Sequence, residues 1–274
     1  MTVIAMTREI GSLGKDIAYA LARELQFEIM PHELVEQKIA DRMGAPASTV
    51  HRLLEGHASL FERWKMTSRH LARHTAEEIL ERAARGGVVI WGWGAVALLR
   101  PVSHVICVRV CAPMAFRMRV LMERLEITDA EIARREIDHG DAAHATAMKQ
   151  LFAANREDPL LYDIVLNTAR IPSATCVEQL KHLAQFPQFQ ETDESREILA
   201  KMLMETRTRS TLEQGSTNAL SAPFVEIAAD SSTLSLRGVT STEEAIALVE
   251  QRMHGANSTK AARPSMRNLP PIRW

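Results

Sequence analysis

Thr7–Ala18 reads TREIGSLGKDIA, with TVIAM (Thr2–Met6) before it and YALARELQ (Tyr19–Gln26) after it. The run before it is short, apolar and β-branched and stops at a glycine-containing turn, which predicts a buried strand. From Asp16 to Gln26, Ile17, Ala20, Leu21, Ala22 and Leu25 recur at helical spacing. A strand, a Gly-rich turn and a helix N-terminus together make an anion site. Free backbone N–H groups and the positive end of the helix dipole meet there. Gly11 and Gly14 permit the tight turn and close backbone approach, and Lys15 stands where it reaches β- and γ-phosphate oxygens.

The general phosphate-loop pattern is G-x-x-x-x-G-K-[ST]. Counting back from Gly14-Lys15, its first glycine position holds Glu9, and its Ser/Thr position, which ligates magnesium, holds Asp16. Both replacements add negative charge near the phosphates. Two unit charges about 4 Å apart interact by about 4 kcal/mol at an effective dielectric of about 20. Asp16 helps only by touching magnesium directly or through water. Otherwise it is a first-turn acid facing the helix dipole, and GSLG is a plain turn. From this stretch alone both readings stand.

Outward from the turn, a helical pattern runs from Glu33 to Arg85, interrupted near Gly44-Ala45-Pro46 and Gly56. GGVVIWGWGA (Gly86–Ala95), HVICVRVCAP (His104–Pro113) and YDIVLNT (Tyr162–Thr168) read as further strands. Between them lies a long charged helical stretch from Met114 to about Asn155, and a helix follows from Ser173 to Phe186. Strands alternating with helices predict βαβ units: an α/β fold with a three-layer parallel sheet flanked by helices, over residues 1–186. QFPQFQETD (Gln185–Asp193) contains the expected linker, 187–192. Residues 193–255 predict a small α+β C-terminal domain. It has a helix near Glu194–Arg207, strands FVEIAAD and TLSLRGV, and a helix over Thr242–Met253. Residues 256–274 carry Lys260, Arg263, Arg267 and Arg273, three prolines and no acid, and read as a disordered basic tail.

The formal net charge of -1 lacks the basic excess of a non-specific nucleic-acid binder. Aromatic residues, at 5%, are too few for a single-strand stacking surface. Cys107 and Cys111 share a predicted strand, where four residues span roughly 13 Å, too far for a disulfide. With Cys176 they make an unpaired set that fits a reducing compartment. No leader segment and no run of transmembrane length is read, so a cytoplasmic protein is expected.

TREIGSLGKDIA, with its flanking strand and helix, resembles the opening of the cytidylate kinase-like family, a branch of the P-loop nucleoside monophosphate kinases. Members read S-R-x-x-G-S-G-G-R-x-I-A here, a loop that itself lacks the Ser/Thr. Thr7-Arg8, Gly11-Ser12, Gly14 and Ile17-Ala18 fit, and Lys15 replaces the usual arginine. WGWGAVALL (Trp91–Leu99) is similar to the family's G-R-G-A segment. HVICVRVCAPMAFRMRV (His104–Val120) is similar to its strand and A-P-x-x-x-R turn, which places Arg117. Arg134 and Arg135 fall in the lid-like helical region, and DPLLYDIVLNTARI (Asp158–Ile171) resembles the Y-D-L-V-[LI]-N-T strand. The resemblance runs to about residue 185, and the order and spacing of its segments carry it.

The resemblance implies phosphoryl transfer from ATP to a nucleoside monophosphate, first of all CMP. Backbone N–H groups of Gly11, Ser12 and Gly14 would hold the donor phosphates, and Lys15 would bridge β and γ. Arg8, Arg117, Arg134 and Arg135 would neutralise charge. Mg2+ would be held mainly by phosphates and water, with Asp16 as helper and no metal site made by protein groups alone. Three positions depart from the family. Trp93 replaces the G-R-G arginine, His144 (in DHGDAAH) replaces another, and Pro31 (in MPHELV) replaces an aspartate. Phosphoryl transfer rests on positioning and on cations at the transferred group, and histidine is charged only near or below a pKa of about 6.5. A catalytically degenerate nucleotide sensor and a kinase for another small hydroxylated acceptor therefore stand beside the first reading.

The C-terminal stretch FVEIAADSSTLSLRGVTSTEEAIALVEQRM, with Gly238 before a helix, resembles a BON domain. That resemblance implies lipid or small-ligand binding, or a protein contact; a generic αββα appendage is the alternative. Other clusters read plainly. His70 and His74 lack an HExxH context and belong to a solvated helix face. Asp138, His139, Asp141 and His144 read as a polar lid segment, with a metal cluster as the lesser alternative. Arg63, Arg69, Arg73, Arg82 and Arg85 form a solvated face or meet an acceptor phosphate. Trp91 and Trp93 point the same way from one strand, for core packing or base stacking.

Overall fold

In a computed structural model the run before the turn is strand β1, Val3–Arg8, and it occupies the middle of a five-stranded sheet. The structure describes residues 2–30, 48, 68–92, 94–126, 128–213, 224–229, 234–240 and 263–268. Along β1, Val3 to Met6 are all buried, as a strand covered by helices on both faces requires. Helix α1 (Gly14–Leu25) follows, then β2 (Glu28–Met30), α2 (Ser68–Arg85), β3 (Val88–Trp91), α3 (Ala95–Leu99) and β4 (Val105–Cys111). Next come α4 (Met114–Leu125), α5 (Ala130–Phe152), β5 (Ile164–Asn167), α6 (Ser173–Leu183) and α7 (Asp193–Glu213).

The strands are parallel throughout, in the order β2-β3-β1-β4-β5. Ile4 and Met6 face a core shared with Ile17 and Leu21 of α1 and Val177 and Leu180 of α6. Each such side chain, fully buried, contributes roughly 1.5–3 kcal/mol over exposure. Val3 and Ala5 point the other way, toward the side where α2, α3 and α5 pack together. The chain leaves β1 toward β2 on one side and leaves β4 toward β5 on the other. Ligands of open parallel sheets lie at such a reversal, outside the carboxyl ends of the strands.

The long helical stretch predicted from Met114 breaks in two. Glu126 adopts a left-handed conformation after α4, and the Asp129 side chain accepts the Glu131 N–H to start α5. The expected linker carries a 3-10 turn, Pro187–Phe189, with Phe189 packed on the core and its carbonyl accepting from Thr2 Oγ1 at 3.1 Å. The strand β2 has three residues, one of them buried, too short to leave a periodic signal.

The chain divides into two compact units, Met1–Arg196 and Glu197–Trp274. In the second, β6 (Phe224–Ala229) pairs antiparallel with β7 (Leu234–Thr240), at the two predicted strand positions. The stretch expected to be a disordered tail instead contributes β8, Arg263–Asn268, parallel to β7 with Pro264 opposite Leu236. An edge strand tolerates a proline because its outward N–H has no ladder partner to lose. The helix expected over 242–253 lies outside the described residues, as do Pro31, Arg63 and Trp93 and the side chains of Arg69 and His70. Among the described residues no helix is long and apolar enough to cross a membrane.

Candidate functional site

The β1–α1 turn is held from beneath by buried hydroxyls. Ser12, fully buried, donates its Oγ hydrogen to Glu9 O at 2.7 Å, with Val110 O 3.3 Å away, and Thr168 Oγ1 donates to Ser12 O at 2.8 Å. The Ser12 amide also turns inward, to Glu9 O at 3.1 Å. Ser12 thus closes the turn and does not offer its N–H to a ligand. Gly11 has φ +76°, and a Cβ there would stand 2.4 Å from Arg117 O, so only glycine fits. Leu13, at the N-cap, is also left-handed, with φ 60°. Non-glycine residues held this way cost about 1–3 kcal/mol and gather at ligand sites. The first intrahelical bond at this end is Ile17 N to Leu13 O. The amides of Gly14, Lys15 and Asp16 therefore precede the helical ladder.

Glu9 is not a stray charge beside this turn. Its Oε1 lies 3.0 Å from Arg109 Nη2 and 3.6 Å from Arg156 Nη2, and its Oε2 lies 3.5 Å from Arg117 Nη1 and accepts the Ala112 N–H at 3.2 Å. Asp141 and Glu157 complete the cluster. Arg117 Nη2 donates to Asp141 at 2.7 Å, and Arg109 Nη2 donates to Glu157 at 2.7 Å. Burial works against the Arg109 cation, but the hydrogen bonds it donates to Glu157 and Glu9 outweigh this and raise its pKa. Burial likewise opposes the Glu157 anion, yet Arg109 and then Arg156 hold its pKa below the usual value. Tyr162, its phenol pushed up to about 12 by burial, donates to Arg156 O at 2.7 Å and so fixes that arginine's backbone.

At the other end of the turn the cations meet aromatic rings. Arg8 Cζ stands 4.7 Å from the Trp91 ring centroid, and Lys15 Nζ stands 5.9 Å from the rings of both Trp91 and Tyr19. Trp91 is buried and meets Tyr19 edge-on at 6.0 Å. Such a contact attracts a cation by about 0.5–1 kcal/mol at an exposed site.

A narrow cleft with a cavity volume of about 20 Å³ lies outside the carboxyl ends of β1, β3 and β4. Its floor is Thr7, Arg8, Glu9, Arg109 and Arg156, and its roof is one face of α5, from His144 through Met148 and Leu151 to Phe152.

The residues predicted from sequence divide four ways. Arg8, Gly11, Ser12, Gly14 and Lys15 gather in or at the turn. Arg117 is 5% exposed and its guanidinium is committed to the turn itself, with Nε donating to Ile10 O at 2.8 Å. Asp16 pairs with Arg124 of α4. Arg134 and Arg135 are exposed and engage their own helix, through Asp138 and Glu131 O. Of the predicted lid segment, Asp138 and Asp141 pair with arginines. Of the predicted arginine face, Arg82 pairs with Glu28 and Glu78.

Sequence reasoning missed Arg109, Arg156 and Glu157. A visible signal existed for the first, an arginine inside the otherwise apolar strand VICVRVC.

The sequence matches the model of the cytidylate kinase-like family over residues 3–170, more than half of its length, and the chain belongs to that family. A cytidylate kinase from Pyrobaculum aerophilum is 25% identical over 174 residues, covering 62% of this chain and 86% of that protein. Among solved structures, an uncharacterized protein from Eubacterium ventriosum aligns with a TM-score of 0.54 and 18% identity, over 67% of this chain and 98% of that one. That likeness shows the fold. A shikimate kinase from Bacteroides thetaiotaomicron aligns with a TM-score of 0.42 and 15% identity, over 68% of this chain and 99% of that one.

Proposed function

We propose that the chain is a P-loop nucleoside monophosphate kinase that moves the γ-phosphoryl group of ATP to a small acceptor, CMP being the first to test. The observation that carries this reading is the left-handed turn at Gly11 and Leu13, which leads into α1 beside Lys15 and Arg8. In this reading the donor phosphates lie against the amides of Gly11, Gly14, Lys15 and Asp16. Lys15 leaves its rings to bridge β- and γ-oxygens, and Arg8 neutralises charge next to it. The acceptor lies at the mouth of the cleft under α5, near His144, Arg109 and Arg156. Its oxygen attacks the γ-phosphorus in line while the bond to the β–γ bridging oxygen breaks and ADP leaves. Magnesium, held mainly by phosphates and water, supplies further neutralisation. Asp16 carries a fitting oxygen donor but is paired with Arg124.

A second reading, a catalytically degenerate nucleotide sensor, is favoured by one observation. Arg117 is bound into the turn, and Arg134 and Arg135 engage Asp138 and Glu131 O of their own helix. The second unit would then carry the signal, as a BON-like module contacting lipid or protein. A coupled ADP-release assay over a panel of nucleoside monophosphates separates the two. Turnover that disappears in Lys15→Ala supports the kinase. Tight ATP binding without turnover on any acceptor supports the sensor, and no ATP binding at all sinks both. Flotation of the full chain on anionic phospholipid vesicles tests the lipid contact.

A further inference from the structure

Helix α5 touches the site at two successive places along its length. Its later part, His144 to Phe152, roofs the cleft. Its middle grips the β1–α1 turn. Gly140 lies so close to Ile10 that an added Cβ would stand 2.1 Å from Ile10 Cδ1. The next residue, Asp141, accepts from Arg117 Nη2 at 2.7 Å, and Arg117 Nε donates to Ile10 O at 2.8 Å. One arginine, 5% exposed, therefore ties the helix to the turn. Arg156 doubles the tie, since its Nη1 donates to Asp141 O at 3.3 Å and its Nη2 lies 3.6 Å from Glu9.

We propose that α5 couples the cleft to the phosphate turn, with Asp141 as a positioning residue that acts through Arg117. This deepens the kinase reading and rests on it for the identity of the turn's ligand. The physical case is one of stiffness. His144 sits less than one turn from Asp141, about 4.5 Å along the helix axis, so a ligand that shifts the roof shifts the carboxylate with it. Buried charged hydrogen bonds weaken steeply with distance and angle, and Arg117 has Ile10 O, Glu9 and Asp141 as fixed partners at once. A displacement of Asp141 therefore reaches the backbone of Ile10 and Gly11. By linkage the coupling is reciprocal: filling the cleft changes affinity at the turn, and filling the turn changes affinity in the cleft by the same factor.

The test compares amide hydrogen exchange in the full chain, without ligand, for wild type, Asp141→Asn and Ala147→Phe. The first variant keeps the side chain's shape and removes its charge. The second wedges bulk from α5 into the cleft at a residue with no place in the turn. In both, the amides of Ile10 to Asp16 should exchange faster by roughly two- to thirtyfold, while those of α6 exchange as in wild type. Gly140→Ala, which presses on Ile10, should do the same if Asp141→Asn proves too unstable to study. Turn amides that exchange at the wild-type rate in Ala147→Phe overturn the coupling; at the wild-type rate in Asp141→Asn they overturn the role of Asp141. Uniform acceleration across α6 as well reduces Asp141 to a general support and overturns its positioning role. Calorimetric titration with ATP keeps the two ideas apart. If wild type does not bind ATP, the kinase reading fails while exchange still decides the coupling. If it binds, Asp141→Asn should raise Kd several-fold.

Discussion

At the Glu9 end of the turn one carboxylate meets three guanidiniums, whereas at the Lys15 end an exposed ammonium stands 5.9 Å from two aromatic rings. The first end is specified by charge pairs with fixed geometry and limited access to water. The second is specified by a weak, broad attraction that a stronger anion can replace. A turn built this way stays in shape while its lysine remains available to move. The general phosphate-loop pattern makes Glu9 look like a defect, but its charge is spent on holding the turn.

The sharpest way to break this contrast is Glu9→Ala. It leaves Arg109, Arg117 and Arg156 without their shared partner, and removing one member of a buried ion cluster costs about 3–5 kcal/mol. Urea denaturation should show that loss; a change under about 1 kcal/mol would put the cluster in the class of surface pairs. Lys15→Ala should behave in the opposite manner. Stability should stay within about 0.5 kcal/mol of wild type, while turnover falls by about a hundredfold or more, read in the coupled assay.

A smaller effect concerns the platform. A double-mutant cycle between Lys15→Ala and Trp91→Leu should give a coupling in stability of about 0.5–1 kcal/mol, measured by thermal unfolding. A coupling of several kcal/mol would mean that Lys15 is locked and not parked.

The smallest effect is a pH dependence. The Glu157 carboxyl is held below its ordinary value of 4.5, with burial opposed and outweighed by Arg109 and Arg156. Its stabilisation is therefore present above pH 4.5 and is lost as pH falls through the lower folded value. Glu157→Gln should lose less stability than wild type across that acid window. The difference should stay under about 1 kcal/mol, because an exposed carboxylate is screened. An identical acid profile would remove Glu157 from the cluster's energetics.

Local pattern made much of the fold legible. The strands β1, β3, β4 and β5 are apolar runs closed by turn residues, and the turn's glycines and lysine are adjacent in sequence. The YDIVLNT motif is legible because nearly every polar group in it is spent on structure. Tyr162 fixes Arg156, Asp163 accepts the Cys107 N–H at 2.7 Å, and Thr168 holds Ser12. The arginine cluster was not legible, because Glu9, Arg109, Asp141 and Arg156 come from four separate segments and meet only when β1, β4 and α5 are packed. Nor did sequence alone separate an arginine that faces a ligand from one that serves the turn. The A-P-x-x-x-R resemblance singles out Arg117, and its hydrogen bonds to Ile10 and Asp141 decide its use.

The hydrogen bond from Thr2 to Phe189 closes the first unit with nearly its first residue and one of its last. Within this unit the central strand is made well before its neighbours β3 and β4, and its final tie comes later still. At about 5–20 residues per second, β1 waits roughly 5–20 seconds before β4, its second neighbour, is complete. Contacts this distant in sequence slow folding. The nascent chain thus carries its central strand without sheet neighbours on both sides until β4 is made.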